Sequence, residues 1–283
     1  MSDDAKSMQL ALFGESDVGK SHYGAQLLSR IEAEACELKL RRTPDDLSPF
    51  DEVRKRLNAG LLADHTPSGI YRESIWSVTD GTKSEFDLIW PDYAGEQIRQ
   101  LIDTRRMGPE WLARTQYAHG WILMVRPKLS RQDEDIFSRP LGDLRRVENH
   151  SPENKPQRTV QARLVELLQL LLHARGLADR RQHPPMAVLL SCWDELQVGE
   201  GVKPGDVLDQ TLPLLASFIR SRWGDRSTVF GLSALGTELN KDTANEQFVN
   251  EGPERFGFVV DSDGSRVDDL TRPILRLAAM SRQ

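Results

Sequence analysis

Short, strongly apolar runs alternate along this chain with longer stretches whose apolar residues recur every three or four positions. Runs of about four to eight apolar residues bounded by turn residues are strand-like, and the longer period is that of a helix with one buried face. Met8 to Phe13 is the first such strand. The helix after it carries Tyr23, Leu27, Leu28 and Ile31 on one side. From Leu38 to Ser68 the text is polar and irregular, with a short helix expected within Phe50 to Leu62. Ile70 to Thr79 alternates like a half-exposed edge strand. Asp80-Gly81 suits a hairpin turn, and Phe86 to Trp90 is the return strand. Gly95 to Ala118 reads as helix interrupted at Gly108-Pro109, and Gly120 to Val125 as a buried strand. Residues 126–159 are rich in Arg, Asp, Pro and Ser and read as a surface insertion. Val160 to Ala174 is a helix with a stripe of leucines, ended by Gly176. Met186 to Cys192 and Thr228 to Leu232 are buried strands, with one amphipathic helix, Asp206 to Trp223, between them. Phe256 to Val260 and Arg266-Val267 flank a turn, and Asp268 to Ala279 is the closing helix. Strands alternating with helices predict an α/β fold, one mainly parallel sheet covered on both faces, in a single domain over 1–283.

Composition narrows the class. Of 283 residues, 39% are hydrophobic and 28% charged, enough to build a core and outside the disordered range. The net charge of −6 argues against binding nucleic acid through its phosphates. Two cysteines, Cys36 and Cys192, make no disulfide framework, and the six scattered histidines suggest no metal site. No apolar run is long enough to span a membrane, and the acidic start, MSDDAKSM, does not read as a secretory signal. A cytoplasmic protein is expected. The DSDG at Asp261 places its glycine too early for a calcium loop and reads as a hairpin turn.

Chemistry enters at Gly14-Glu15-Ser16-Asp17-Val18-Gly19-Lys20-Ser21, which lies between a strand and a helix. Two glycines at this spacing permit the turn that gathers backbone N–H groups around an anion. The start of the following helix adds its positive end. Lys20 is expected to neutralise β- and γ-phosphates, and the Ser21 hydroxyl to ligate Mg²⁺. His22, next in line, counts among the candidate nucleotide contacts.

Three further segments follow the ends of predicted strands, the edge where open α/β sheets bind ligands. Asp92-Tyr93-Ala94-Gly95-Glu96 follows FDLIW; Ser191-Cys192-Trp193-Asp194 follows MAVLL; Ser233-Ala234-Leu235 follows VFGL. In this order they resemble the DxxG switch, the base-reading Asn-Lys-x-Asp element and the Ser-Ala loop of TRAFAC-class, Ras-like P-loop GTPases. The overall text, including SCWDEL and FGFVVDSDG, looks most like the divergent bacterial double-GTPase and conflict-system GTPase families. The resemblance implies a three-layer α/β/α P-loop NTPase fold with one antiparallel edge strand and insertions. It implies GTP or GDP and Mg²⁺ as cofactors. Asp92 and a switch I threonine would join Ser21 at the metal; Thr66 is the choice, with Ser68 and Thr43 as alternatives. Gly95 would offer its N–H to a γ-phosphate. Asp194 would accept two hydrogen bonds from guanine, and Ser233 and Ala234 would contact the guanine oxygen.

The departures matter as well. Ser191 and Cys192 stand where the resemblance implies Asn and Lys, which removes a loop-bracing amide and the stem that covers the base; Trp193 is an alternative stacking group. Glu96 occupies the place of a water-positioning glutamine, with Gln97 one residue later; the two are the catalytic candidates beside Lys20. Slow turnover follows, unless an arginine comes from a partner, a second copy, or Arg41, Arg42 or Arg72. The leading expectation is a switch for a protein partner or effector, a second GTPase or an activating protein among the options, with bacterial antiviral defence as the setting the resemblance suggests. A barely hydrolysing scaffold and an ATPase or phosphotransferase are the alternatives.

Overall fold

Side chains on successive strand residues point to opposite faces of a sheet. In β1 (Met8–Phe13), Leu10 and Leu12 join one buried cluster, while Ala11 and Phe13 join another. In β5 (Gly120–Val125) and β6 (Met186–Ser191), Ile122, Met124, Ala187 and Leu189 lie with Leu10, and Trp121, Leu123, Val188 and Leu190 with Phe13. Both faces of these strands are therefore covered, which is why they read as unbroken apolar runs. The computed structural model describes residues 8–44, 46–63, 72–81, 85–92, 95–130, 158–176 and 183–282.

Nine strands form one sheet in the order β2 (Lys39–Leu40), β3 (Arg72–Thr79), β4 (Glu85–Asp92), β1, β5, β6, β7 (Ser227–Ser233), β8 (Phe258–Val260), β9 (Arg266–Val267). The run from β4 through β7 is parallel. The antiparallel part beside it is larger than a single edge strand. β3 pairs with β4 and is itself covered by β2, and at the opposite edge β8 pairs with β7 and β9 with β8. β2 has two residues, too few for any periodicity to announce it.

Helices α1 (Lys20–Glu32), α2 (Ser48–Asn58), α9 (Glu246–Glu251) and α10 (Arg272–Ser281) cover one face. Under α1 and α2 sits an aromatic cluster. Trp76 and Trp90 stack with ring centroids 5.5 Å apart, and Phe50 meets both edge-on. On the other face lie α3 (Gly95–Thr104), α4 (Pro109–Tyr117), α6 (Val160–Arg175), α7 (Pro204–Thr211) and α8 (Pro213–Trp223). The expected leucine stripe of α6 is buried there, and Gly176 ends the helix in the left-handed conformation.

The single helix expected over Asp206 to Trp223 is in fact two. Pro213 has no N–H to continue the first helix and a φ suited to the opening position of the next. α5 (Pro127–Ser130) begins the expected insertion, of which 131–157 lies outside the described residues. The turn after Asp261 is a hairpin turn, with the Asp263 carboxylate accepting from the Ser265 N–H at 2.8 Å.

Candidate nucleotide site

The parallel strands all end at the same edge, and the loops leaving β1, β5, β6 and β7 surround a cavity of about 560 Å³. That volume lies within the usual range of small-molecule sites.

The first wall is the loop between β1 and α1. A Cβ on Gly14 would meet the Val18 Cγ2 at 2.8 Å and the Met124 carbonyl oxygen at 3.1 Å, so this position needs glycine for space, not for an unusual φ. The left-handed turns are made by Asp17 (φ 65°) and Gly19 (φ 81°). Gly19 is the N-cap of α1, and no side chain caps that helix. The first-turn N–H groups and the positive end of the helix thus face the cavity. Lys20 is buried and folds back over the loop, its Nζ donating to the carbonyl oxygens of Gly14 at 2.9 Å and Glu15 at 2.6 Å. The loop is thereby wrapped around an ammonium group. Ser16, Asp17, Val18, Gly19, Ser21 and His22 line the cavity.

Glu15 has a different task. Its carboxylate is 6% exposed and accepts two hydrogen bonds from Arg163 of α6, at 2.8 and 3.0 Å. Among the loop residues it contributes its carbonyl to the lysine and its side chain to the packing of α6.

The second wall is built on β6 and β7. β6 ends at Ser191, whose buried hydroxyl donates to the Val125 carbonyl oxygen at 3.2 Å. Cys192 turns the chain at φ 52°, and a 3₁₀ turn, Trp193–Leu196, follows. Asp194 and Cys192 line the cavity. Trp193 does not stack in it; the indole is 6% exposed and lies against β7, where a Cβ on Gly231 would come within 2.5 Å of it. Burial there anchors the turn that presents Asp194. Ser233 is also buried, and its Oγ accepts from the Gly236 N–H at 3.0 Å, shaping a turn that leaves Ala234 and Leu235 at the cavity.

The walls meet through Arg126, immediately after β5. Its Nε and Nη2 donate to the Glu195 carboxylate at 3.1 and 2.5 Å, and its Nη1 to the Asp17 carbonyl oxygen at 3.0 Å. Burial is the largest single influence on Arg126 and works to lower its pKa, but the Glu195 hydrogen bonds together with the surrounding negative charges, Glu195 and Asp17 among them, make the net shift upward. The Cys192 thiol is pushed up to about 12, chiefly by burial, with the Arg126 charge opposing.

The remaining sequence candidates are placed in part. Asp92 ends β4, Gly95 and Glu96 open α3, and Gln97 is half-buried on the first turn of that helix. Thr66 and Ser68 lie outside the described residues, and Thr43 is exposed after β2. Of the alternative arginines, Arg41 pairs with Glu85 at 2.9 Å and Arg42 donates to the Ser77 hydroxyl at 3.1 Å. Two residues were missed from sequence. Arg126 and Arg163 are separated from their partners by 69 and 148 positions, so no local pattern signals them.

A parallel sheet with a phosphate loop after its first strand, facing an aspartate turn and a Ser-Ala turn, defines a P-loop nucleotide-binding fold of the GTPase kind. The family profile of Double-GTPase 1 (DO-GTPase1) matches residues 11–277, and the chain belongs to that family. Comparison with curated proteins returns no match. Similar solved structures include the signal recognition particle receptor SRβ in the SRβ–GTP/SRX complex of Chaetomium thermophilum, at 15% identity and TM-score 0.41, covering 83% of this chain and 94% of that one. The Arl6 (BBS3) small GTPase of Trypanosoma brucei with a bound nucleotide analogue has 12% identity and TM-score 0.39, over 81% of this chain and 87% of its own. The translation elongation factor SelB of Methanococcus maripaludis, in complex with a GTP analogue, has 14% identity and TM-score 0.37, over 82% of this chain but 31% of its own. No helix among the described residues is long and apolar enough to cross a membrane.

Proposed function

We propose that this chain binds GTP and GDP with Mg²⁺ in the cavity, hydrolyses GTP slowly, and acts as a nucleotide-controlled switch for a protein partner. Residues 1–283 form one GTPase domain in this reading, with 126–159 as an insertion and a partner-facing region. One observation carries it: a single cavity of about 560 Å³ has the Lys20 loop at one side and Asp194 with Ala234 and Leu235 at the other. A triphosphate tail suits the first wall. A guanine edge, with two N–H donors, suits a carboxylate in the second.

Ser21 and Asp92 would hold the metal, with Thr66 as the switch I ligand. Ser21 fits, since it lines the cavity in the first turn of α1. Mg²⁺ supplies charge neutralisation across the β- and γ-phosphates. Gly95 at the start of α3 would offer its N–H to the γ-phosphate. Glu96 or Gln97 would orient the attacking water. A carboxylate at Glu96 opposes γ-phosphate charge, so unassisted turnover on the order of 10⁻⁴ to 10⁻² s⁻¹ is expected, rising when a partner adds an arginine. A cytoplasmic setting and a role in bacterial defence accompany this reading through the family resemblance.

Calorimetry with Mg²⁺ and GDP, GTP or ATP tests the binding. GDP and GTP should bind and ATP should bind far more weakly. Asp194→Asn should lose GTP and gain xanthosine triphosphate. Equal affinity for ATP and GTP, unchanged by Asp194→Asn, would remove the guanine assignment. Phosphate release in a single turnover separates a switch from a scaffold, which would release none.

A further inference from the structure

We infer that Arg126 is the positioning residue that locks the phosphate loop to the base-reading turn, so that the two halves of the nucleotide site act as one. This rests on the guanine-nucleotide reading above. The Arg126 guanidinium spends its donors in two directions. Two go as a fork to the Glu195 carboxylate, the residue next to Asp194. A third goes to the Asp17 carbonyl oxygen inside the phosphate loop, 3.0 Å away. The planar guanidinium makes these bonds directional, as an ammonium would not.

Each end of the link bears on a ligand-facing group. Asp17 is in the left-handed region at φ 65°, which a residue with a Cβ adopts at some cost unless its surroundings hold it. Arg126 supplies that hold by fixing the Asp17 carbonyl. In a trans peptide the C=O and the following N–H point in opposite directions, so fixing this oxygen also fixes the aim of the Val18 N–H. At the other end, Glu195 lies in the same 3₁₀ turn as Asp194, and the turn is flanked by left-handed residues at Cys192 and Gln197. The fork therefore sets how far Asp194 stands from the loop. Ser191 and Cys192 carry no group long enough to span from their own turn to the loop, and Arg126 comes from the neighbouring strand to do so. Its side chain and that of Glu195 are 26% and 22% exposed, so water competes only in part.

The link predicts a coupled defect. Arg126→Ala removes charge-assisted hydrogen bonds at both ends, and GDP should dissociate about tenfold faster or more. It should also compress the preference for GDP over inosine diphosphate. Inosine lacks the 2-amino group that Asp194 would hold, so the ratio of the two affinities reads the placement of Asp194 alone. Arg126→Lys keeps the positive charge but not the directed fork, and should recover part of the affinity, but not the GDP-to-IDP ratio. Glu195→Gln keeps the loop bond and should lower the ratio with a smaller change in dissociation rate.

Stopped-flow release of fluorescent GDP and IDP from the full chain, with a melting curve for each nucleotide-free variant, tests this. Faster release with a compressed ratio, in variants that melt near the wild-type temperature, is the expected result. An unchanged ratio in Arg126→Ala and Glu195→Gln overturns the link, whatever happens to affinity. So does GDP release from Arg126→Ala within twofold of wild type. Failure of the wild-type chain to bind either nucleotide would instead sink the nucleotide reading itself.

Discussion

Cys192 shows how a residue beside a ligand cavity is kept chemically quiet. Its thiol is raised to about 12 by burial, against an ordinary value near about 8.5, and the nearby Arg126 charge does not reverse this. The thiolate is the reactive form, so at pH 8 alkylation in the folded protein should run roughly 10³-fold slower than for a free cysteine. Intact-mass kinetics with iodoacetamide in a Cys36→Ser background measures it; labelling at the free-thiol rate would contradict the burial of this group. The sign for stability follows. The folded state keeps a proton that the unfolded chain releases, so the contribution is present in full below about pH 8.5 and is lost as pH rises toward 12. At this scale local spacing was enough to place Gly14, Lys20 and Ser21 in a loop between a strand and a helix. It was not enough for Trp193, whose burial against Gly231 depends on a strand that begins 34 positions away at Ser227.

Between elements, the Glu15–Arg163 pair fastens α6 to the phosphate loop. Glu15 is nearly inaccessible, so its charge is tolerable only with a partner. Removing one member of such a pair costs more than replacing both, because the survivor is left charged and buried. Arg163→Ala should therefore destabilise the protein by about 2–3 kcal/mol, below the fully buried range because the arginine keeps some contact with water. The double replacement Glu15→Ala with Arg163→Met should be closer to wild type. Urea unfolding of the three proteins decides the matter; a double variant as unstable as Arg163→Ala, or more so, would show that the stranded Glu15 carboxylate carries no penalty of its own. The same scale shows what pattern can and cannot give. The long helices and the central strands announced themselves through burial on fixed faces. The split at Pro213 was missed because both halves share one apolar face across the break. The six-residue α9 was missed for shortness, since its one buried residue, Phe248, makes no period.

Over the whole molecule, the base-side loop after β7 is tied to the chain that leads toward Thr66. The Leu62 N–H donates to the Asn240 carbonyl oxygen at 2.9 Å, and the Asn245 N–H to that of Gly60 at 2.9 Å. Arg56 of α2 spans both segments, donating to the carbonyl oxygens of Leu62 at 3.0 Å and Lys241 at 2.6 Å. Leu62 and Ala63 reach the same cavity as Ala234 and Leu235. In the proposed reading, a base seated against Ala234 would bear on a loop tied to the segment that leads toward residue 66. Ligands stabilise the conformations they prefer, and backbone hydrogen bonds in the stabilised region open less often. Hydrogen exchange should show the Leu62 and Asn245 amides gaining protection on GDP binding, together with the Gly236 amide that donates to Ser233. In Arg56→Ala the gain at Gly236 should persist while the gain at Leu62 falls, because the cross-link that carries it is gone. Protection confined to residues 14–21 in the wild-type chain would mean that the phosphate loop takes up the nucleotide without engaging the rest of the edge. The sequence could place the phosphate loop, the aspartate turn and the Ser-Ala turn along one sheet edge. It could not place the end of α2 beside the loop after β7, because the bonds of Arg56 to Lys241 and of Leu62 to Asn240 join positions far apart in a chain whose intervening text carries no shared pattern.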